Sequence, residues 1–557
     1  MMDAHLFSEI SGVMLRANDG RLFAFLGCAA ALFGAFFLAR PLFRRLPMGA
    51  APDGTDHIVE SFGVTADSLR AVESRCREAG VAEAHIPAHV QDAARSLAEL
   101  RRRLLDVHPE ALELVDRGDF EAAAAMLKLD CELRLAPVGG ARAPEDASRD
   151  AELCAAAAAI DQLNLDHRGA AEKYAAAADL VSNAAEAAGT PPASAGAAWR
   201  FRMAQGRALV DDGARSGQGD SLIGAIESYD RALDAVSRAQ SPLAWARTQF
   251  HRADALVASG VNDNVASRIE EAVGTYQLAL EEWTHDAAPF EWARAQHNLG
   301  DALQRLAEME DGIERLRPAA EAYRAALKAW TRRAAPDLFA MAQGNLGDAL
   351  AVMGAHTGDE AMLREAICAY RAALGELRRD LAPREWARMQ NNLGNALEAL
   401  SEREFCERKY KSDQLRQAVE AFQSALEAQT PEASPAEFAA TNVNLGDALL
   451  TLGEGEAAEN PAYGHDLLSR AAAAYRAALA ATDGRAPVEA AKIKINLAYA
   501  LGLLWNGTRN RQMLNEALAM LDGAIAAIKE TEEHEHVADA ERARERILAA
   551  LAQAEAA

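Results

Sequence analysis

The chain is 557 residues long, half of them apolar and only 6% aromatic, with a formal net charge of −25. That charge repels nucleic-acid phosphates, so it argues against a nucleic-acid partner and favours neutral or basic protein segments. No Val/Ile/Thr-rich alternating run predicts a sheet, and the six scattered cysteines include no CxxC pair. The expected class is all-α without a disulfide framework, suited to a reducing compartment.

Residues 1–21 form a short tail. Leu22 to Ala39, LFAFLGCAAALFGAFFLA, is uncharged and apolar on every side. At a helical rise of about 1.5 Å per residue it spans roughly 27 Å, close to a bilayer's hydrocarbon core. A transmembrane helix is expected over 22–43, followed by a Pro/Gly-rich linker over 44–57. Arg40-Pro41 follows the apolar run and no small-x-small cleavage site appears, which disfavours a signal peptide. Arg40, Arg44 and Arg45 after the run outnumber Arg16 and Arg21 before it. The positive-inside tendency then predicts a single-pass inner (cytoplasmic) membrane protein with a cytoplasmic body.

Residues 58–136 read as a helical stalk with a degenerate repeat, or as an atypical capping hairpin. Leu97, Leu100, Leu104 and Leu105 make one stripe, and Pro109 to Leu129 reads as a hairpin around Gly118-Asp119-Phe120. His85 and His89 stand four apart, as zinc ligands on a helix can, but Pro87 lies between them and no third ligand is paired, so no metal is expected.

A long repeat occupies 151–530. Pro289-Phe290-Glu291-Trp292 through Asn298-Leu299-Gly300-Asp301 returns from Pro336, Pro383 and Pro435, and more loosely from Pro242 and Pro487. Its leading aromatics are Trp245, Trp292, Phe339, Trp386 and Phe438, at intervals of 47, 47, 47 and 52 residues. A fixed period of this kind marks stacked helical units that mostly bind and seldom catalyse. In a first helix (helix A), Trp292, Gln296, Leu299 and Leu303 form an apolar stripe, and Gly300 admits a neighbouring backbone. In a second (helix B), Ala319, Tyr323 and Ala326 share a face, as do Ala366, Tyr370, Ala373 and their counterparts. Ser434-Pro435-Ala436-Glu437 predicts a capping box. Residues 137–150 and Gly189–Ser194 are breaks, and 531–557 is a charged, amphipathic capping helix.

These residues resemble the tetratricopeptide repeat (TPR) family. Leu299-Gly300 stands where that family carries a Leu-Gly pair in helix A, and Ala319, Tyr323, Ala326 where it carries an Ala-aromatic-Ala trio in helix B. The family's unit is about 34 residues, so this is a long-period variant. The resemblance implies a TPR-like helix-hairpin solenoid, a right-handed superhelix with helix A on its concave side. An Asn at this place in that family can grip the backbone of an extended peptide. By that resemblance Asn298, Asp301, Asn345, Asp348, Asn392, Asn395, Asn444 and Asp447 line a peptide-binding groove. Side-chain amides both donate and accept, which suits the task. The alternative is that each Asn bonds a neighbouring repeat and fixes the stacking.

The longer units place extra residues at Ser401–Ser412 and Gly453–Gly464, expected as loops between paired helices and a second contact edge. No P-loop, dinucleotide-binding glycine motif, nucleophile elbow or HExxH is present. No enzyme, cofactor or catalytic residue is therefore expected. The abundance of Ala, and of Arg over Lys, points to a bacterial source. The function expected is a membrane-anchored scaffold or adaptor that binds protein partners through its groove and loops. The alternative is a regulatory or sensing subunit of a separate enzyme or of a secretion or assembly machine.

Overall fold

A computed structural model of the chain describes residues 58–556, apart from 60, 80, 82–85, 136–142, 190–194, 311, 404–407, 483–485 and 530–536. The tail, the apolar stretch Leu22–Ala39, the linker and His85 lie outside the described residues. No helix among the described residues is long and apolar enough to cross a membrane. All their regular structure is helical. They form two compact units, one ending at Ala334 and the other starting at Ala335.

The first unit opens with α1 (Ala66–Glu78), α2 (Ile86–Val107), α3 (Pro109–Asp116) and α4 (Phe120–Leu135). Four hairpins follow: α5 (Pro144–Leu163) with α6 (His167–Ala188), α7 (Ala195–Ser216) with α8 (Gly219–Asp234), α9 (Pro242–Asn262) with α10 (Ala266–Glu282), and α11 (Pro289–Glu310) with α12 (Leu316–Ala329). The opening helices share one core with α5, in which Leu69, Leu97, Leu100, Leu104, Val115 and Phe120 pack with Leu153, Ala156 and Ile160. They therefore cover the first hairpin rather than stand free as a stalk. Leu105, expected in the same stripe, is 62% exposed; the helix turns it about 100° away from Leu104. The Thr65 hydroxyl donates to the Asp116 carbonyl at 2.6 Å and ties the start of α1 to the end of α3. Cys131 on α4 and Cys154 on α5, 23 residues apart, form a buried disulfide with 5.6 Å between their Cα atoms. The expectation of unpaired cysteines is corrected here, because helix packing and not sequence spacing brings them together.

The second unit holds α13 (Pro336–Thr357) with α14 (Glu360–Leu374), α15 (Pro383–Arg403) with α16 (Arg408–Leu426), α17 (Pro435–Ala457) with α18 (Pro461–Ala481), and α19 (Pro487–Thr508) with α20 (Arg511–Lys529). It ends in α21 (Val537–Ala556), whose Leu551 packs with Trp505 and Leu514.

Pro242, Pro336, Pro435 and Pro487 each stand in the first turn of a helix A, where the missing N–H would have had no partner. The capping box does not form. Ser434 makes no side-chain cap; its carbonyl accepts from Phe438 N at 2.9 Å, and Glu437 is drawn to Arg384 at 2.6 Å.

The helix B trios are buried, as in Ala272, Tyr276, Ala279 and Ala366, Tyr370, Ala373. Helix A differs from expectation at its start. Trp245, Trp292 and Trp386 are half-buried, since the first turn projects beyond the hairpin contact. Groups from the preceding loop cover them: Arg238 lies 4.6 Å over Trp245, Arg379 lies 5.3 Å over Trp386, and His285 stands edge-on to Trp292 at 5.2 Å. Leu299 and Leu303 are buried as expected, and Ala293, Ala302 and Leu306 complete the helix A core.

The second insertion is not a long loop: α17 runs on to Ala457, α18 starts early at Pro461, and only 458–460 separate them; after the first insertion α16 likewise starts early, at Arg408. Asn460 fixes the second start by accepting from Tyr463 N at 3.2 Å.

Candidate functional site

Gly206, Gly300, Gly347, Gly394 and Gly446, one on each of five A helices, are seats for the aromatic of the same hairpin's helix B. A Cβ on Gly300 would fall 2.7 Å from the Tyr323 ring, and one on Gly347 would fall 2.7 Å from Tyr370. The neighbour that needs this space is thus a ring, not a backbone. Seating the ring there carries its hydroxyl past the next residue, which is an aspartate. Tyr276 donates to Asp254 at 2.5 Å, Tyr323 to Asp301 at 2.8 Å, Tyr370 to Asp348 at 2.8 Å and Tyr475 to Asp447 at 2.5 Å. Burial and the adjoining carboxylate push the Tyr276 and Tyr370 phenols well above their ordinary range.

The same carboxylates take a second donor from the following helix A. Asn298 Nδ2 reaches Asp254 Oδ1 at 3.0 Å, Asn392 reaches Asp348 at 2.8 Å and Asn496 reaches Asp447 at 3.1 Å. Asn444 donates to the Asn391 carbonyl oxygen at 3.1 Å instead, because α15 carries Asn395 and no aspartate at that place. One carboxylate thereby joins three helices: its own, the partner in its hairpin, and the next helix A.

The residues expected to line a groove fall into two groups. Asn345 and Asp348 are buried and offer almost no surface. Asn298, Asp301, Asn392, Asn395, Asn444 and Asp447 are half-buried and recur on helix A. The amides of Asn298, Asn392 and Asn444 are engaged between repeats, which is the stacking geometry weighed as the alternative. The Tyr–Asp and Asn–Asp pairings were not foreseen, although their 47-residue recurrence was present in the sequence.

A different cluster lies at the α7–α9 end. Arg207 and Asp211 are both exposed on α7. The surrounding protein nevertheless pushes the Asp211 carboxyl up to about 6, against the opposing pull of Arg207. Burial lowers His251 on α9 despite Asp254, whose Oδ2 lies 3.6 Å from His251 Nδ1. No group of metal-ligating side chains occurs among the described residues.

No family profile and no curated protein matches the chain. Solved structures align at low similarity. The C-terminal part of a TPR repeat-containing protein from Cytophaga hutchinsonii is 13% identical, with a TM-score of 0.36 over 61% of this chain and 98% of that one. The Cut9–Hcn1 hetero-tetramer of APC/C gives 14% identity and a TM-score of 0.29 over 89% and 99%. A Rap protein complexed with competence and sporulation factor gives 13% and 0.29 over 78% and 99%. Scores at this level carry no argument, and the fold is read from the hairpins themselves.

Proposed function

We propose that the chain is a membrane-anchored repeat scaffold that binds protein partners along its helix A faces. The observation that carries this reading is the row of half-buried polar side chains returning in successive copies: Asn298 and Asp301, Asn392 and Asn395, Asn444 and Asp447. The helices that carry Asp301 and Asp447 are held by Tyr–Asp ties, and α15 by the bond of Asn392 to Asp348, so the polar row stands on braced helices before any partner arrives. Pre-organisation of this kind lowers the ordering cost of binding. Its acids suit neutral or basic segments. The anchor is Leu22–Ala39, and the flanking arginines favour a cytoplasmic body.

Two measurements test the proposal on the full-length chain. It should remain with membranes through alkaline carbonate washing; release as a peripheral protein would remove the anchor. A photo-crosslinking residue at Gln304 or Asn395, on helix A, should yield partner adducts, whereas one at Lys328 on α12 should not. Equal labelling from both helices would remove the helix A groove.

A second reading has its own observation. The Cys131–Cys154 disulfide favours a body on the oxidising side of the membrane, as a periplasmic assembly factor.

A further inference from the structure

In successive hairpins a helix B ring fills a place beside the small residue of helix A. Tyr323 lies against Gly300, Tyr370 against Gly347, Phe422 against Gly394 and Tyr475 against Gly446. Alanine at the small position still admits a ring: Ala253 precedes Asp254, and Tyr276 reaches that carboxylate at 2.5 Å. The α19–α20 hairpin keeps the small residue, as Ala498, but its helix B carries Leu521 where these hairpins carry the ring. Tyr499, in the place of the aspartate, does not supply one, since its hydroxyl donates to Glu454 on α17.

Ala498 and Leu521 line a cavity of about 50 Å³ that is partly open to the surface. Ile547 on α21 closes part of it against α19; a Cβ on Gly502 would fall 3.3 Å from the Ile547 Cδ1. The capping helix thus covers the vacant ring position without filling it. The wall is almost wholly apolar. Two donors border it without an acceptor among the described residues. One is the half-buried Arg546 guanidinium on α21, which forms no ion pair or hydrogen bond there. The other is the indole N–H of Trp505, a side chain only 5% exposed.

A cation at the mouth of an apolar cavity selects a ligand with an apolar body and an anionic head. The volume limits the body. A ring is too large, because an apolar cavity of roughly 150 Å³ is what takes benzene, whereas the end of an alkyl chain is narrow enough. We propose that this end of the second unit binds an unbranched alkyl carboxylate, a short- or medium-chain fatty acid. The chain end enters the cavity beside Ala498 and Leu521, and the carboxylate meets Arg546. Removing the alkyl chain from water drives binding, and the half-exposed charge adds a smaller share. The bound chain would join α19, α20 and α21, and so hold the capping helix to the last hairpin, where the end of the chain is otherwise most open to fraying. The inference goes beyond the partner-binding reading and does not depend on it.

The test uses the full-length chain in lipid nanodiscs with three probes: hexanoate, hexanamide and acetate. A ligand of the folded state raises the melting temperature in proportion to its occupancy. Hexanoate should raise it most, hexanamide less and acetate not at all, and titrating the shift gives the affinities. Leu521→Phe returns the ring that Phe422 supplies in α16, and it should abolish the response to hexanoate and hexanamide alike. Arg546→Gln should weaken hexanoate about threefold, the scale of an exposed ion pair, and leave hexanamide unchanged; it serves if the phenylalanine variant does not fold. No response to hexanoate, or a response equal to that of acetate or of hexanamide, would overturn the proposal. So would an undiminished hexanoate affinity in either variant. The scaffold reading stands or falls separately, on the crosslinking at Gln304 and Asn395.

Discussion

Arg388 on α15 reaches Asp348 on α13, with Nη1 2.8 Å from Oδ2, across one full repeat. The same carboxylate accepts from Tyr370 and from Asn392, each at 2.8 Å on Oδ1. Asp348 therefore has three partners on two other helices, and it is buried. Asp348→Ala would strand a buried hydroxyl and a partly buried cation. The expected loss is about 3 kcal/mol, the lower end for a broken buried pair, because 23% of the Arg388 side chain stays exposed. Denaturant unfolding would measure it. A loss below about 0.5 kcal/mol, the scale of an exposed ion pair, would show that the tie does not carry the stacking.

The ring seats make opposite predictions at two glycines. Gly347→Ala would drive a methyl into the Tyr370 ring, and overpacking of this kind costs about 1–3 kcal/mol. Gly274, inside α10, has nothing within 4 Å of a built Cβ. Gly274→Ala should therefore stabilise by roughly 0.5–1 kcal/mol through helix propensity alone. Thermal melts of the two variants should move in opposite directions, and a common direction would contradict the seat.

Much of the hairpin was legible in the sequence, and the reasons differ by residue. Ala366, Tyr370 and Ala373 are spaced to share one helical face, so their burial follows from periodicity. Periodicity could not say that Trp292 would stay half-buried, since it identifies a face and not where along the helix that face is covered. The tie from Asn298 to Asp254 spans 44 residues. The sequence repeats both residue types at each period but not which copy meets which. Cys131 and Cys154 were equally silent, because their pairing depends on how α4 packs against α5. The run of α17 through Gly453 and the early start of α18 before Gly464 were hidden, because both glycines read as loop residues. Instead, Gly453 gives room to Leu468 and Gly464 to the backbone of Ala457.

The Asn row separates stacking from ligand contact. Replacing Asn298, Asn345, Asn392 and Asn444 together with Ala removes the inter-repeat bonds of Asn298, Asn392 and Asn444. At about 0.5–1.5 kcal/mol for each bond, the variant should melt well below the parent. A variant with the parental melting temperature that fails to capture partners would assign the row to ligand contact instead.

The cysteine pair reports the side of the membrane. With a cytoplasmic body, Cys131 and Cys154 should be recovered as thiols when cells are quenched in acid and alkylated after denaturation. Recovery as a disulfide would place the body on the export side. In the oxidised protein, Cys131→Ser should cost about 3 kcal/mol, the scale for closing a loop of some twenty residues. The penalty should largely disappear when both proteins are fully reduced.

Asp211 gives a pH dependence of definite sign. Its carboxyl is raised from 3.8 to about 6 because the surrounding protein disfavours its charge, while Arg207 opposes the shift. The folded chain therefore holds this proton more tightly than the unfolded chain does. The resulting stability is fully present below the unfolded pKa and is lost as pH rises through the folded one. Asp211→Asn carries no such proton. The difference in melting temperature, parent minus variant, should therefore decline between about pH 4 and pH 6 and level off above about pH 7. A flat difference would mean that the carboxyl titrates as if in water. A rise with pH would mean that Arg207 dominates and holds the group charged.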